Sequence, residues 1–141
     1  MEMLHIRWQR LLIDGVTCPR CASTEEELER ACALLEQVFA PLGIGVVLEK
    51  EILSCEAFRK DPLQSNAIFL NGRPLEEWLE ASRGASPCCD VCGPVACRTV
   101  EVDGRVYEVI PAELIVKAAF LAVSASLSGC SHHGSSCCSL G

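Results

Sequence analysis

The 141-residue chain has no run of lysine or arginine, and its formal charge is −7. It therefore presents no electrostatic footprint for nucleic acid or an anionic membrane surface. The opening MEMLHIRWQR lacks a basic stretch leading into an apolar core and a small-residue cleavage site, so no secretory signal is expected and a cytoplasmic location follows. No apolar run is long enough to span a bilayer. The longest, Leu114 to Leu127, is interrupted by Lys117 and falls short of the roughly 20 residues required, which makes it a buried helix instead. Also missing are a Ser-His-Asp signature, a Gly-rich phosphate loop and an HExxH helix, so hydrolytic and nucleotide-dependent chemistries have no support. No internal repeat marks a solenoid.

What the chain has in excess is cysteine: eleven residues, an odd number that cannot pair completely within one copy. In a reducing cytosol such cysteines point to metal binding or thiol chemistry before a structural disulfide framework. Half the residues are apolar and 22% are charged, the balance of one globular domain with a real core.

Alternation of Leu4, Ile6, Trp8 and Leu12 with polar residues predicts a first strand over about 4–13. A periodic helix follows, with Leu28, Cys32, Leu35, Val38 or Phe39, and Leu42 on one face. Its start has two readings. Ser23 and Glu26 form a capping box, or Cys18 is the cap with Pro19 at the first helical position, where its missing donor costs nothing. Gly43 ends this helix, and Ile44, Val46, Leu48 and Ile52 predict a second strand with its even positions inward. A short helix over Cys55 to Lys60 stops near Asp61-Pro62. Ala67 to Leu70 reads as a buried strand entering an Asn71-Gly72 turn, and Leu75 to Leu79 as a helical turn. A Gly/Ser/Pro-rich loop is expected over 82–98, then a hairpin turning at Asp103-Gly104 and a final helix started by Pro111, carrying Leu114, Ile115, Ala118 and Leu121. The order predicts a mixed α/β sheet with an initial βαβ unit and later antiparallel strands.

Three cysteine groups carry the chemistry. Cys18-Pro19-Arg20-Cys21 sits between a strand and a helix start, where the helix dipole and Arg20 lower the pKa of the first thiol. Glu25, Glu26 and Glu27 act in the opposite sense. Cys18 is the expected exposed nucleophile and Cys21 the resolving or second-ligand thiol; half of a zinc site, or an inert pair, is the plainer alternative. The second group, Cys88, Cys89, Cys92 and Cys97, lies in PCCDVCGPVAC and contains another CxxC. Four thiolates suit tetrahedral zinc or an iron–sulfur cluster, and three suit arsenite. Redox-active thiols without metal fit the spacing equally. The third, Cys130, His132, His133, Cys137 and Cys138, falls in a tail over 129–141 without apolar periodicity, either a metal-binding Cys/His tract or a weakly constrained terminus. Cys32 is expected as a small core residue, Cys55 as packing under its short helix, His5 at the surface, and Trp8 and Trp78 as core or interface aromatics.

The succession of strand, CxxC, helix, strand, helix and NAIFLNG resembles the thioredoxin-like superfamily. Through LHIRWQRL, CPRCASTEEEL, LGIGVVLE, DPLQSNAIFLNGRPLEEWL, SPCCDVCG and CRTVEVDGRVYEVIPAELI, about residues 3–118, the chain more closely resembles a small bacterial family of cysteine-rich thioredoxin-like proteins catalogued as a domain of unknown function. Some of its members are encoded near arsenic-handling genes, which implies a thiophilic metalloid. The resemblance implies a thioredoxin-like domain over 1–128, a mixed sheet flanked by helices, with the cysteine-rich loop inserted before a C-terminal hairpin and helix. Thioredoxin oxidoreductases carry a cis-proline facing the CxxC; here that segment is Gln64-Ser65-Asn66-Ala67. The departure weakens a general disulfide-reductase role and leaves room for a metal or metalloid. The expected partners are a soft ion and a redox protein, with neither nucleic acid nor membrane insertion.

Overall fold

Even-numbered apolar residues set the first strand. In the computed structural model, which describes residues 2–12, 19–87 and 96–128, β1 runs from Glu2 to Leu11 and buries Leu4, Ile6 and Trp8 completely. It lies at the centre of a four-stranded sheet of order β2-β1-β3-β4. Strand β2 (Ile44–Leu53) runs parallel to it, β3 (Ala67–Leu70) antiparallel, and the two-residue β4 (Arg73–Pro74) antiparallel to β3. The parallel pair requires a crossover, and helix α1 (Pro19–Phe39) supplies it. The helix begins at Pro19, the second of the two expected starts, and Ser23 therefore lies within it.

Helix α1 packs Leu28, Ala31, Cys32, Leu35 and Phe39 into the main core, which the final helix α4 (Ala112–Ser128) shares through Ile115, Ala118, Ala119 and Ala122. Two expected core positions lie outside it. Leu42 is exposed because the chain tightens after Phe39 into a 3-10 turn, Ala40–Leu42, closed by Gly43 at φ 75°. Leu121 is exposed on α4, and the small residues Ala118, Ala119 and Ala122 bring the helices together instead.

A second, smaller cluster corrects the reading of β2. Ile52 is exposed, while Leu53 packs with its register partner Leu11 and with Phe58 of α2 (Cys55–Lys60). Residues of opposite parity point to opposite faces of a strand, so Leu11 and Leu53 serve the face away from the main core. Ser54 caps α2 by accepting the Ala57 N–H at 3.0 Å.

Helix α3 (Leu75–Leu79) leads into a separate three-stranded antiparallel sheet of β5 (Ser82–Pro87), β6 (Ala96–Val102) and β7 (Arg105–Tyr107). The segment expected to be loop over 82–98 is thus strand at both ends: β5 pairs along its whole length with β6, from Ser82↔Glu101 to Pro87↔Ala96. Asp103 and Gly104 both have positive φ, 51° and 81°, as the expected type I′ turn between β6 and β7 demands. Asn71 and Gly72 do the same between β3 and β4. No helix among the described residues is long and apolar enough to cross a membrane.

Candidate thiol site

The segment Asp61 to Asn66 is a tight turn whose every stage has a local cause. The Asp61 carboxylate accepts the Leu63 N–H at 3.1 Å, and Ser65 N–H donates to the Pro62 carbonyl at 3.1 Å. Asn66 then adopts φ 61°, a left-handed conformation that asparagine tolerates better than most residues. Buried hydrogen bonds fasten it to β1 and α1. Its carbonyl oxygen accepts from Trp8 Nε1 at 3.0 Å, and its amide donates to Thr24 Oγ1 of α1 at 3.2 Å. The same Thr24 oxygen accepts the Ile110 N–H, just ahead of α4, at 3.3 Å.

The turn fixed in this way meets the first CxxC. Cys21, buried in the first turn of α1, places Sγ 3.9 Å from Ser65 Oγ. Ser65 Oγ also accepts the Leu11 N–H at 3.1 Å, so the hydroxyl is held between the end of β1 and the thiol. Ser65, in the Gln64-Ser65-Asn66-Ala67 segment, therefore meets Cys21, the second thiol of the CxxC.

Strand β6, whose second residue is Cys97, reaches the same turn through Arg98. Arg98 of β6 donates from Nε to the Leu63 carbonyl at 2.7 Å, and its Nη1 pairs with the Glu76 carboxylate of α3. Both charged residues are buried, and a cleft of about 310 Å³ lined by Ile68, Phe69, Ala81 and Arg83 opens beside them. Cys97 precedes Arg98 in β6 and stands opposite Ser86 in the ladder. One turn, Pro62 to Asn66, thus contacts both the helix start bearing Cys21 and the strand bearing Cys97. Cys18, Cys88, Cys89 and Cys92, and the tail candidates Cys130, His132, His133, Cys137 and Cys138, lie outside the described residues. Among the described residues no three Cys, His, Asp or Glu side chains form a metal-binding group.

A family profile described as a domain of unknown function, DUF2703, matches residues 4–119. The chain belongs to this family. A relative from Archaeoglobus fulgidus, described as an uncharacterized protein, is 46% identical over 112 residues, covering 79% of this chain and 82% of its own length. No solved structure matches the chain. The DUF2703 match takes in both CxxC motifs and Cys97 and ends before the Cys/His-rich tail.

The remaining DUF2703-region cysteines separate by environment. Cys32 belongs to the core, as expected, and burial, reinforced by Glu36, pushes its thiol up to about 11. Cys55 does not pack under α2: it is the first residue of that helix and is exposed, because Phe58 is the residue that turns inward. His5 is exposed, Trp8 fully buried, and Trp78 half-buried under the Arg73 guanidinium, 4.2 Å from its ring centre. The acidic run beside the CxxC is partly neutralised. Lys50 donates to Glu25 at 2.8 Å and to Glu29 at 2.6 Å, bonds that raise its pKa, while Glu27 accepts the Ala112 N–H and pairs with Arg30. Sequence reasoning had not singled out Ser65, Asn66, Thr24, Glu76 or Arg98. The replacement of proline in the 64–67 segment was the one signal pointing to Ser65 and Asn66.

Proposed function

We propose that the chain is a cytosolic thioredoxin-type protein that binds a thiophilic metal or metalloid ion, of the zinc or arsenite kind, through thiolates of Cys18, Cys21, Cys88, Cys89, Cys92 and Cys97. The observation that carries this reading is the convergence of the Cys21 helix start and the Cys97 strand on the Pro62–Asn66 turn. An eight-residue connection, 88–95, joins neighbouring strand ends. At ~3.3 Å per residue, out and back, a connection of that length spans at most about 13 Å. Each ligand thiol must lose its proton to bind, so affinity falls as pH falls. The tail cysteines and histidines are a secondary donor set that can pass an ion to the main one. Elemental analysis and a free-thiol count on anaerobically purified protein test the reading. Bound soft metal, lowered in Cys89→Ala/Cys92→Ala, is expected; unchanged stoichiometry in that variant removes the loop from the site.

A second reading is favoured by the burial of Cys21 against Ser65, the position of a resolving thiol. The chain is then a dithiol oxidoreductase. Cys18 thiolate attacks a substrate disulfide and releases one substrate thiolate; Cys21 attacks the mixed disulfide and releases the other, leaving the Cys18–Cys21 disulfide and a substrate reduced by two electrons. Reductase turnover that survives Cys18→Ser rules this out. An iron–sulfur centre is separated from both by visible absorption of the anaerobic protein.

A further inference from the structure

The outer face made by the C-terminal halves of α1 and α4 is apolar and open. Leu34, Val38 and Leu42 recur every four residues and are 49%, 38% and 65% exposed; Phe120 and Leu127 are 45% and 60% exposed. The helices run side by side in one direction. The N–H of Ala112, at the start of α4, meets the carboxylate of Glu27, midway along α1, at 2.9 Å, and further along both helices the Phe39 and Phe120 rings meet edge-on at 5.2 Å. Their ends frame a groove lined by Phe39, Leu42, Phe120, Val123 and Leu127. Charge is sparse there: α4 carries none from Ala118 to Ser128, the chain from Ala31 to Leu42 carries only Glu36, and the Glu2 carboxylate reaches α4 at Ser126.

We infer that this face binds the same face of a second copy of the chain. The five exposed side chains leave about two and a half side chains' worth of surface open, roughly 400–500 Å² at about 150–200 Å² each. An interface about 60% apolar built around that centre buries roughly 650–850 Å² per copy, the size of a stable protein–protein contact. Charge selects the partner. With a formal charge of −7, two copies repel each other over most of their surface, and a face sparse in charge is where they can meet. A two-fold axis through the groove sets apolar residues against their own equivalents, which needs no complementary charge. The chain's own tail is a poor occupant: from 129 to 141 it offers one aliphatic side chain, Leu140. The inference is independent of what the thiols bind.

Sedimentation equilibrium of the full chain, with reductant and chelator present to remove bridges made by disulfides or metal, tests it. The expected result is a concentration-dependent dimer. Leu42→Glu/Leu127→Glu, with unchanged circular dichroism, should weaken it by at least about 100-fold, because each copy then buries unpaired charge. Truncation after Ser128 should leave the dimer intact. A monomer at all concentrations, a variant that associates like the parent, or a truncated chain that dimerises while the full chain does not would each overturn the inference; the last makes the tail the occupant.

Discussion

Replacing Arg98 by methionine is the sharpest test of how the cysteine-bearing hairpin is held. The guanidinium makes a buried ion pair with Glu76 and a 2.7 Å hydrogen bond to the Leu63 carbonyl. Arg98→Met leaves the Glu76 carboxylate buried without its cation, a loss of about 3–5 kcal/mol, and adds the loss of the carbonyl bond. Glu76→Leu strands the arginine at a similar cost. The double variant Arg98→Met/Glu76→Leu removes both charges, so no buried charge is left unpaired and, with the Leu63 bond gone, the loss should shrink to about 1–2 kcal/mol. The cycle therefore predicts a coupling of at least about 2 kcal/mol, measured by denaturant unfolding in reductant and chelator. Additive single losses, or an Arg98→Met variant within 1 kcal/mol of the parent, as an exposed pair would behave, would refute the reasoning. On the metal-binding reading proposed above, the same variant uncouples hairpin and turn, and bound metal per chain should fall with it.

Thr24→Val keeps shape but deprives Asn66 and Ile110 of a buried acceptor; an unfolding free energy lower by about 2–4 kcal/mol is expected, with Thr24→Ser close to the parent, and a neutral Thr24→Val would contradict the network. Among the described thiols, Cys55 should be alkylated fast at pH 8 and Cys32 only after unfolding, read by mass spectrometry of labelled peptides. Cys32 also makes a signed pH prediction. Its folded pKa of about 11 lies above the ordinary 9.0, so the unfolded chain loses this proton first, and stability falls by about 2–3 kcal/mol as pH rises from 9 through 11. Cys32→Ala should lack that component; parallel stability–pH curves for parent and variant would show that the thiol titrates normally.

Where punctuation was chemical, the sequence was readable to the residue. The Asp61-Pro62 pair closes α2, and Asn71-Gly72 and Asp103-Gly104 mark turns that need two positive φ values in succession. Strand β5 escaped because SRGASP has the composition of a loop; pairing with β6, a nonlocal cause, makes it a strand. The inversion between Ile52 and Leu53 was hidden for a related reason, since the local pattern does not reveal that α2 covers the second face. At the site, the clustered cysteines and the 64–67 segment were visible as chemistry. Nothing local marks the Thr24 hydroxyl as a buried acceptor, and nothing local links Arg98 to Glu76, 22 residues earlier, or to Leu63, 35 residues earlier. Buried polar partners separated by that much chain become legible only once the fold brings them together.

The ladder that ends at Pro87↔Ala96 has an engineering consequence. Facing residues in an antiparallel pair stand only about 4.5–5.5 Å apart, so residues 88–95 form an exchangeable cassette between two fixed posts. An Asn-Gly linker of the kind the chain already uses at 71–72 would close the gap while removing Cys88, Cys89 and Cys92 together. The excised cassette, transplanted onto an unrelated hairpin of the same register, would report whether its thiols hold an ion in the absence of the CxxC.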